Sequence, residues 1–113
     1  MNISNIIPLA TNKIDFHLSS AYLLPPQSGC YILTTFEGII LYIGQSKKLK
    51  NRFEQHLDDK EKTSNTPDGR AFYFYYELIE VIQLNCIENS WFQQYVAKMG
   101  RRPIFNKVDP PFH

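Results

Sequence analysis

Cysteine is scarce in this chain, with only Cys30 and Cys86 present. Two thiols cannot build the bridge framework of a small secreted domain or a four-cysteine metal site, so the sequence reads as that of a reduced, cytoplasmic protein. Long apolar runs are also missing. None approaches the ~18 residues that a membrane helix needs, and no membrane partner is expected. Residues Met1–Pro8 have no basic region ahead of an apolar one, so this segment is not read as a secretory signal. Neither sign of charge is in excess. Twelve Lys and Arg face 11 Asp and Glu, for a formal net charge of +1. That balance excludes a uniformly basic nucleic-acid coat, but not a local basic groove. The composition is 43% hydrophobic and 14% aromatic, which is too apolar for disorder or low complexity. A chain of 113 residues forms one domain and needs neither disulfide nor metal to fold.

Local patterns order what is there. Residues 1–28 read as an irregular lead-in broken by Pro8, Pro25 and Pro26, with a short helix around Ser19–Leu23. Cys30–Thr35 and Ile39–Ile43 are β-prone and flank Glu37-Gly38, which predicts a hairpin. Ser46 is a candidate N-cap for a helix over Lys47–Asp58, where Leu49, Phe53 and Leu57 form an apolar stripe. Asp58 to Gly69 is polar and reads as a mobile loop. Phe72–Val81 predicts a third strand, and Asn85–Met99 a second helix that Gly100 ends. This order predicts an α+β fold with a small antiparallel three-stranded sheet flanked by helices. The expected boundaries are an N-terminal extension, 1–28, packing on a core domain, 29–107, followed by a C-terminal tail, 108–113.

Four groups of residues carry chemistry, and each also has a plain structural reading. Tyr31 and Tyr42 lie on the two hairpin strands beside Gly29 and Gly44; strand aromatics also serve as packing. Arg52 and His56 share a helix face at i,i+4, where Arg presents a fork of donors suited to phosphate. With Lys47, Lys48 and Lys50 nearby, the same face also reads as a solvated basic surface. Glu88 offers a hard oxygen ligand for Mg²⁺; equally, Asn85-Cys86-Ile87-Glu88 fits a capping box. Asn106, in Pro103-Ile104-Phe105-Asn106, either closes a turn or orients another polar group.

In this order and spacing the four groups resemble the GIY-YIG endonuclease family. Gly29-Cys30-Tyr31 stands for Gly-Ile-Tyr, and Tyr42-Ile43-Gly44 matches Tyr-Ile-Gly literally. The segment from Gln45 to Arg52 resembles the approach to the family's essential Arg, with His56 one turn later. Glu88-Asn89-Ser90-Trp91-Phe92 is similar to the helix bearing the metal-binding Glu, and Pro103–Asn106 to the closing element. The resemblance covers residues 25–107. Cys30 departs from the usual Ile; it faces away from Tyr31, so the change concerns packing. A thiol nucleophile at Cys30 is the competing reading, and nothing nearby in sequence would activate it.

The resemblance implies a stand-alone endonuclease that hydrolyses DNA phosphodiester bonds with one Mg²⁺ or Mn²⁺. It implies Tyr31 as general base, Tyr42 in the network positioning the water and Arg52 as phosphate clamp. His56 would donate to the phosphate or to a tyrosine oxygen, Glu88 would be the metal ligand, and Asn106 would hold the site together. Lys47, Lys48, Lys50, Arg101, Arg102 and Lys107 are expected to line one DNA-binding surface. All the side chains of the catalytic set are expected to keep some solvent access. The family includes repair, mobile-element and restriction nucleases, many with an added module that selects DNA. Here a protein partner or a second copy would have to supply specificity. The alternative is a catalytically silent nucleic-acid-binding module of the same fold.

Overall fold

The computed structural model describes residues 1–110. Its elements are β1 (Asn12–Asp15), β2 (Gly29–Thr34), β3 (Ile40–Ser46), α1 (Leu49–Asp58), β4 (Tyr73–Leu78) and α2 (Leu84–Met99). The strands form one antiparallel sheet in the order β1-β4-β2-β3. The fold is α+β as expected, but the sheet has four strands rather than three. The added strand, β1, lies in the lead-in that the sequence marks as irregular. Asn12-Lys13-Ile14-Asp15 has one buried residue, Ile14, so its own pattern is too short to read; the open edge of β4 recruits it. The same lead-in places Ile3, Ile6 and Ala10 in the core against α2, where Trp91 Nε1 donates to the Pro8 carbonyl at 2.9 Å.

Strand alternation divides the core in two. Cys30, Ile32, Ile40 and Ile43 meet Leu84, Trp91 and Tyr95 of α2. On the other face Tyr31, Leu33 and Phe74 meet Leu49 and Phe53 of α1, with Ala21 of a 3₁₀ segment, Leu18–Leu23, and Leu24 directly after it. Cys30 thus faces away from Tyr31, and burial, helped by the nearby Glu88, pushes its thiol up to about 12. It stays protonated, and no nucleophile forms there.

An irregularity on β3 sets the direction of Tyr42. Leu33 pairs with Tyr42 and Thr34 with Ile40, so Leu41 is an extra residue and alternation slips by one. Ile40 and Ile43 therefore share the α2 face, while Tyr42 turns to the α1 face beside Tyr31.

The helix starts differ from expectation in one useful way. α1 begins at Leu49; Ser46 remains in β3, and its Oγ accepts the Lys48 N–H at 3.0 Å. α2 begins at Leu84, after a 3₁₀ turn, with Gln83 at the cap and no side-chain cap bond. Asn85 is therefore inside the helix, the capping box does not form, and Glu88 is free for other partners. Gly100, at φ 71°, ends α2 as the sequence implies.

The polar segment after α1 is a set of bonded turns. Asp59 Oδ1 accepts the Glu61 N–H at 2.9 Å, and the Ser64 and Thr66 hydroxyls each donate to a backbone carbonyl at 2.6 Å. Of the expected tail, residues 111–113 lie outside the described residues.

Candidate functional site

The site lies at an edge of the sheet. β3 is the edge strand, and the C-terminal segment covers its outer side. Asn106 Oδ1 accepts the Ile43 N–H at 3.0 Å, its Nδ2 donates to the Ile43 carbonyl at 2.9 Å, and the Phe105 N–H donates to the Leu41 carbonyl at 3.0 Å. The Asn106 carboxamide thus takes the place of a neighbouring strand's peptide group. α1 and α2 pack on opposite faces, and their polar side chains reach around β3 to meet.

Tyr31 and Tyr42 do share a face, with ring centroids 5.9 Å apart at 29°. Gly44, opposite Tyr31, makes room for it: a Cβ there would lie 2.6 Å from the Tyr31 hydroxyl and 2.8 Å from the Tyr42 ring. His56 Nε2 lies 2.6 Å from the Tyr31 hydroxyl, and Arg52 Nε donates to the same oxygen at 3.3 Å. Burial, followed by the charges of Arg52 and Lys62, lowers His56 to about 3, so its ring is neutral near pH 7. The neutral imidazole and the Tyr31 hydroxyl share one hydrogen bond, its direction set by the ring tautomer, while the Tyr31 oxygen accepts from Arg52. Burial also holds the Tyr31 hydroxyl well above its usual pKa, with Tyr42 adding to this and Arg52 opposing it.

Burial corrects one expectation. Tyr31 is 0% exposed, and His56 only 4%. The hydroxyl of Tyr31 meets His56 and Arg52, whereas Tyr42 lines the open cleft.

That cleft is a cavity of about 430 Å³ lined by Tyr42, Gln45, Arg52, Lys62, Glu88 and Asn106, among others. Glu88 is 8% exposed. Gln45 Nε2 donates to Glu88 Oε1 at 2.7 Å and to Asn85 Oδ1 at 2.6 Å. Burial raises the Glu88 pKa, against the Gln45 bond and the Arg52 charge. A buried carboxylate whose charge is disfavoured by desolvation suits a hard divalent cation, whose binding would relieve that burial cost. No cluster of three or more His, Cys, Asp or Glu occurs among the described residues. One carboxylate, waters and substrate oxygens fit Mg²⁺, which retains much of its hydration.

The expected basic residues divide into two groups. Lys107 lines the cleft; Arg101 and Arg102 line an adjoining cavity of about 780 Å³ that shares Asn106 and Asp109 with it. Each has a carboxylate partner: Lys107 with Glu61 at 2.8 Å, Arg101 with Asp68 at 2.8 Å, and Arg102 with Asp109 at 2.7 Å. Lys47, Lys48 and Lys50 stand at the start of α1 and line neither cavity. Sequence reasoning missed Gln45, Asn85 and Lys62. Gln45 directly follows Gly44, and strand alternation alone would have aimed it at α2. Lys62 lies in a segment without periodicity and gives no such signal.

This arrangement has known counterparts. Residues 27–102 match the GIY-YIG catalytic domain family, and the chain belongs to that family. Among individual proteins, it is 38% identical over 53 residues to the UvrABC system protein C of Lactobacillus helveticus, and equally so to that of Lactobacillus gasseri. Those stretches are 47% of this chain and 8% of each relative. In structure it is similar to the GIY-YIG N-terminal endonuclease domain of UvrC from Thermotoga maritima bound to its catalytic divalent cation, magnesium. There the TM-score is 0.52 at 20% identity, over 78% of this chain and 92% of that one. A point mutant of the same domain gives a TM-score of 0.53 at 18% identity, over 80% and 93%. These likenesses show a shared fold. No helix among the described residues is long and apolar enough to cross a membrane.

Proposed function

We propose that this chain is a divalent-metal-dependent endonuclease that hydrolyses phosphodiester bonds of DNA in the cleft beside β3. The observation that carries this reading is the convergence of Tyr42, Arg52 and Glu88 on one cavity from β3, α1 and α2. Arg52 offers its guanidinium to the scissile phosphate and offsets the charge that develops there. Glu88, fixed by Gln45, would hold the cation together with water. A bound Mg²⁺ or Mn²⁺ supplies charge neutralisation at the phosphate and the leaving oxygen.

Tyr42 meets the attacking water in this reading, because it is the tyrosine of the cleft. Tyr31 works one layer back. Its hydroxyl is bonded to neutral His56, whose depressed pKa keeps the imidazole from taking a proton, so the pair holds the tyrosines in position behind the water. Arg52, bonded to the Tyr31 oxygen, ties this pair to the phosphate that it grips. Asn106 shapes the cleft by holding β3. The nuclease unit is 29–107, with 1–28 supporting it through β1, a tail beginning at Val108, and Val108, Asp109 and Pro110 lining the cleft.

Lys47, Lys48, Lys50, Arg101, Arg102 and Lys107 contribute to DNA binding in this reading. Its setting is the reduced cytoplasm, with a protein partner or second copy selecting the target as part of repair, restriction or mobile-element chemistry. The test is nicking of supercoiled plasmid. Mg²⁺-dependent nicking that EDTA stops and Glu88→Gln abolishes is expected. Metal-dependent DNA binding without nicking would instead identify a silent binding module.

A further inference from the structure

Lys62 is an unusual lysine. Its four-carbon stem ordinarily carries the ammonium out to water. Here the turns of the segment after α1 hold it inward, and the residue is 8% exposed. A buried ammonium requires strong partners. Those present are weak: Asp59 at 3.4 Å and Glu61 at 3.7 Å, both longer than the ~2.7–2.9 Å of a good charge-assisted bond. Glu61 is engaged more closely by Lys107, at 2.8 Å. Of three N–H donors, one makes one long bond, to Asp59.

The rest of its surroundings point to a ligand. The ammonium sits over the Tyr42 ring at 5.1 Å from the centroid and over the Phe105 ring at 5.6 Å. Ring faces hold a cation in place without using its N–H donors. Lys62 also lines the cavity that Arg52 and Glu88 line. A seated cation with spare donors facing a cleft suits an anion with several oxygens.

We propose that Lys62 is a second phosphate-binding residue of the cleft, donating to a non-bridging backbone oxygen of the DNA strand that Arg52 grips. The inference rests on the nuclease reading for the identity of the strand. Arg52 and Lys62 divide the work by chemistry: the rigid fork orients one phosphate, and the compact ammonium supplies a rotatable point charge to the same backbone. Asp59 and Glu61 hold Lys62 ready in the free protein and give way to the stronger anion.

The test is fluorescence anisotropy with a labelled 20-base-pair duplex in EDTA, across a salt series. Lys62→Met keeps the stem over the two rings and removes the charge. It should weaken binding several-fold and lower the slope of log K against log salt by about 0.9, one released counterion. Lys62→Arg should retain the wild-type slope. Lys60→Met, in the same segment but exposed, is the control, and its slope should stay as in wild type. If Lys62→Met is poorly folded by circular dichroism, Asp59→Asn replaces it. That change keeps the Oδ1 acceptor of the turn, frees Lys62, and should tighten binding. A wild-type slope in Lys62→Met, an equal fall in Lys60→Met, or no gain in Asp59→Asn overturns the proposal. Plasmid nicking by the wild type is scored separately. Failure there with a lowered Lys62→Met slope rejects the nuclease reading alone; nicking with an unchanged slope rejects Lys62 alone.

Discussion

The two faces of the sheet are built from alternate residues of the same strands, yet they do different things. Cys30, Ile32 and Ile43 point to α2 and make a dry apolar core around Trp91 and Tyr95. Tyr31 and Tyr42 point to α1, where a buried hydroxyl, a neutral imidazole and a guanidinium share protons. The first face is rewarded for excluding water. The second accepts the cost of burying polar groups and offsets it by bonding them to one another. The site opens at β3, where the two faces run out and polar groups from both helices meet. Substitutions in the α2 core and substitutions where the faces meet at β3 should therefore break different properties.

The largest effect is expected on the α2 face. Trp91→Ala should cost about 3–5 kcal/mol, read from urea unfolding, because it empties the centre of that core. Loss of less than about 1 kcal/mol would mean that the face is not the main stabilising one. Next, Glu88→Gln should lower nicking by about 10²–10³-fold, the scale of one lost electrostatic stabiliser. It should leave the urea midpoint unchanged or raised near pH 7, since burial lifts the Glu88 pKa and its ionised form works against folding. A marked fall in the midpoint would assign Glu88 to the structural side.

Gly44→Ala tests the border between the faces. The added methyl would strike the Tyr31 hydroxyl and the Tyr42 ring, so a cost of about 1–3 kcal/mol is expected together with a loss of nicking. Native stability and activity in this variant would show that the tyrosines are not held against the glycine.

The smallest effect near neutrality concerns pH. His56 is depressed in the folded chain to about 3, from an ordinary 6.5. Below 6.5 the unfolded chain takes up this proton first. The contribution to stability is thus fully present above pH 6.5 and lost as the pH falls toward 3. Urea midpoints between pH 7 and 4 should fall less steeply in His56→Gln than in wild type. Equal slopes would mean that His56 is not buried as a neutral ring.

The sequence made the hairpin, both helices and the Gly100 stop legible, because each has a strong period or a terminal signal of its own. The catalytic candidates on those elements, from Tyr31 to Glu88, could be named because their order and spacing resemble the GIY-YIG family; the periods only placed them on strands and helices. β1 was not legible: one buried isoleucine in four residues has no period, and only the edge of β4 makes it a strand. The extra residue at Leu41 was hidden too, although it determines which way Tyr42 points. The depth of Tyr31 depends on Gly44, His56 and Arg52 arriving together from three places, which no local pattern reports. Lys62 was read as part of a polar mobile segment, since inward folding there depends on side chains bonding to their own backbone.

The grip of Asn106 on Ile43 has a consequence beyond the cleft. An edge strand with free amides and carbonyls invites any extended chain to add itself to the sheet. One side chain here answers both groups of the central β3 residue, and the Phe105 N–H answers Leu41 beside it. The same asparagine that shapes the cleft thus denies that stretch of the sheet to a second molecule. It acts as a guard against growth: losing it would uncover a template for strand-by-strand aggregation along with deforming a pocket.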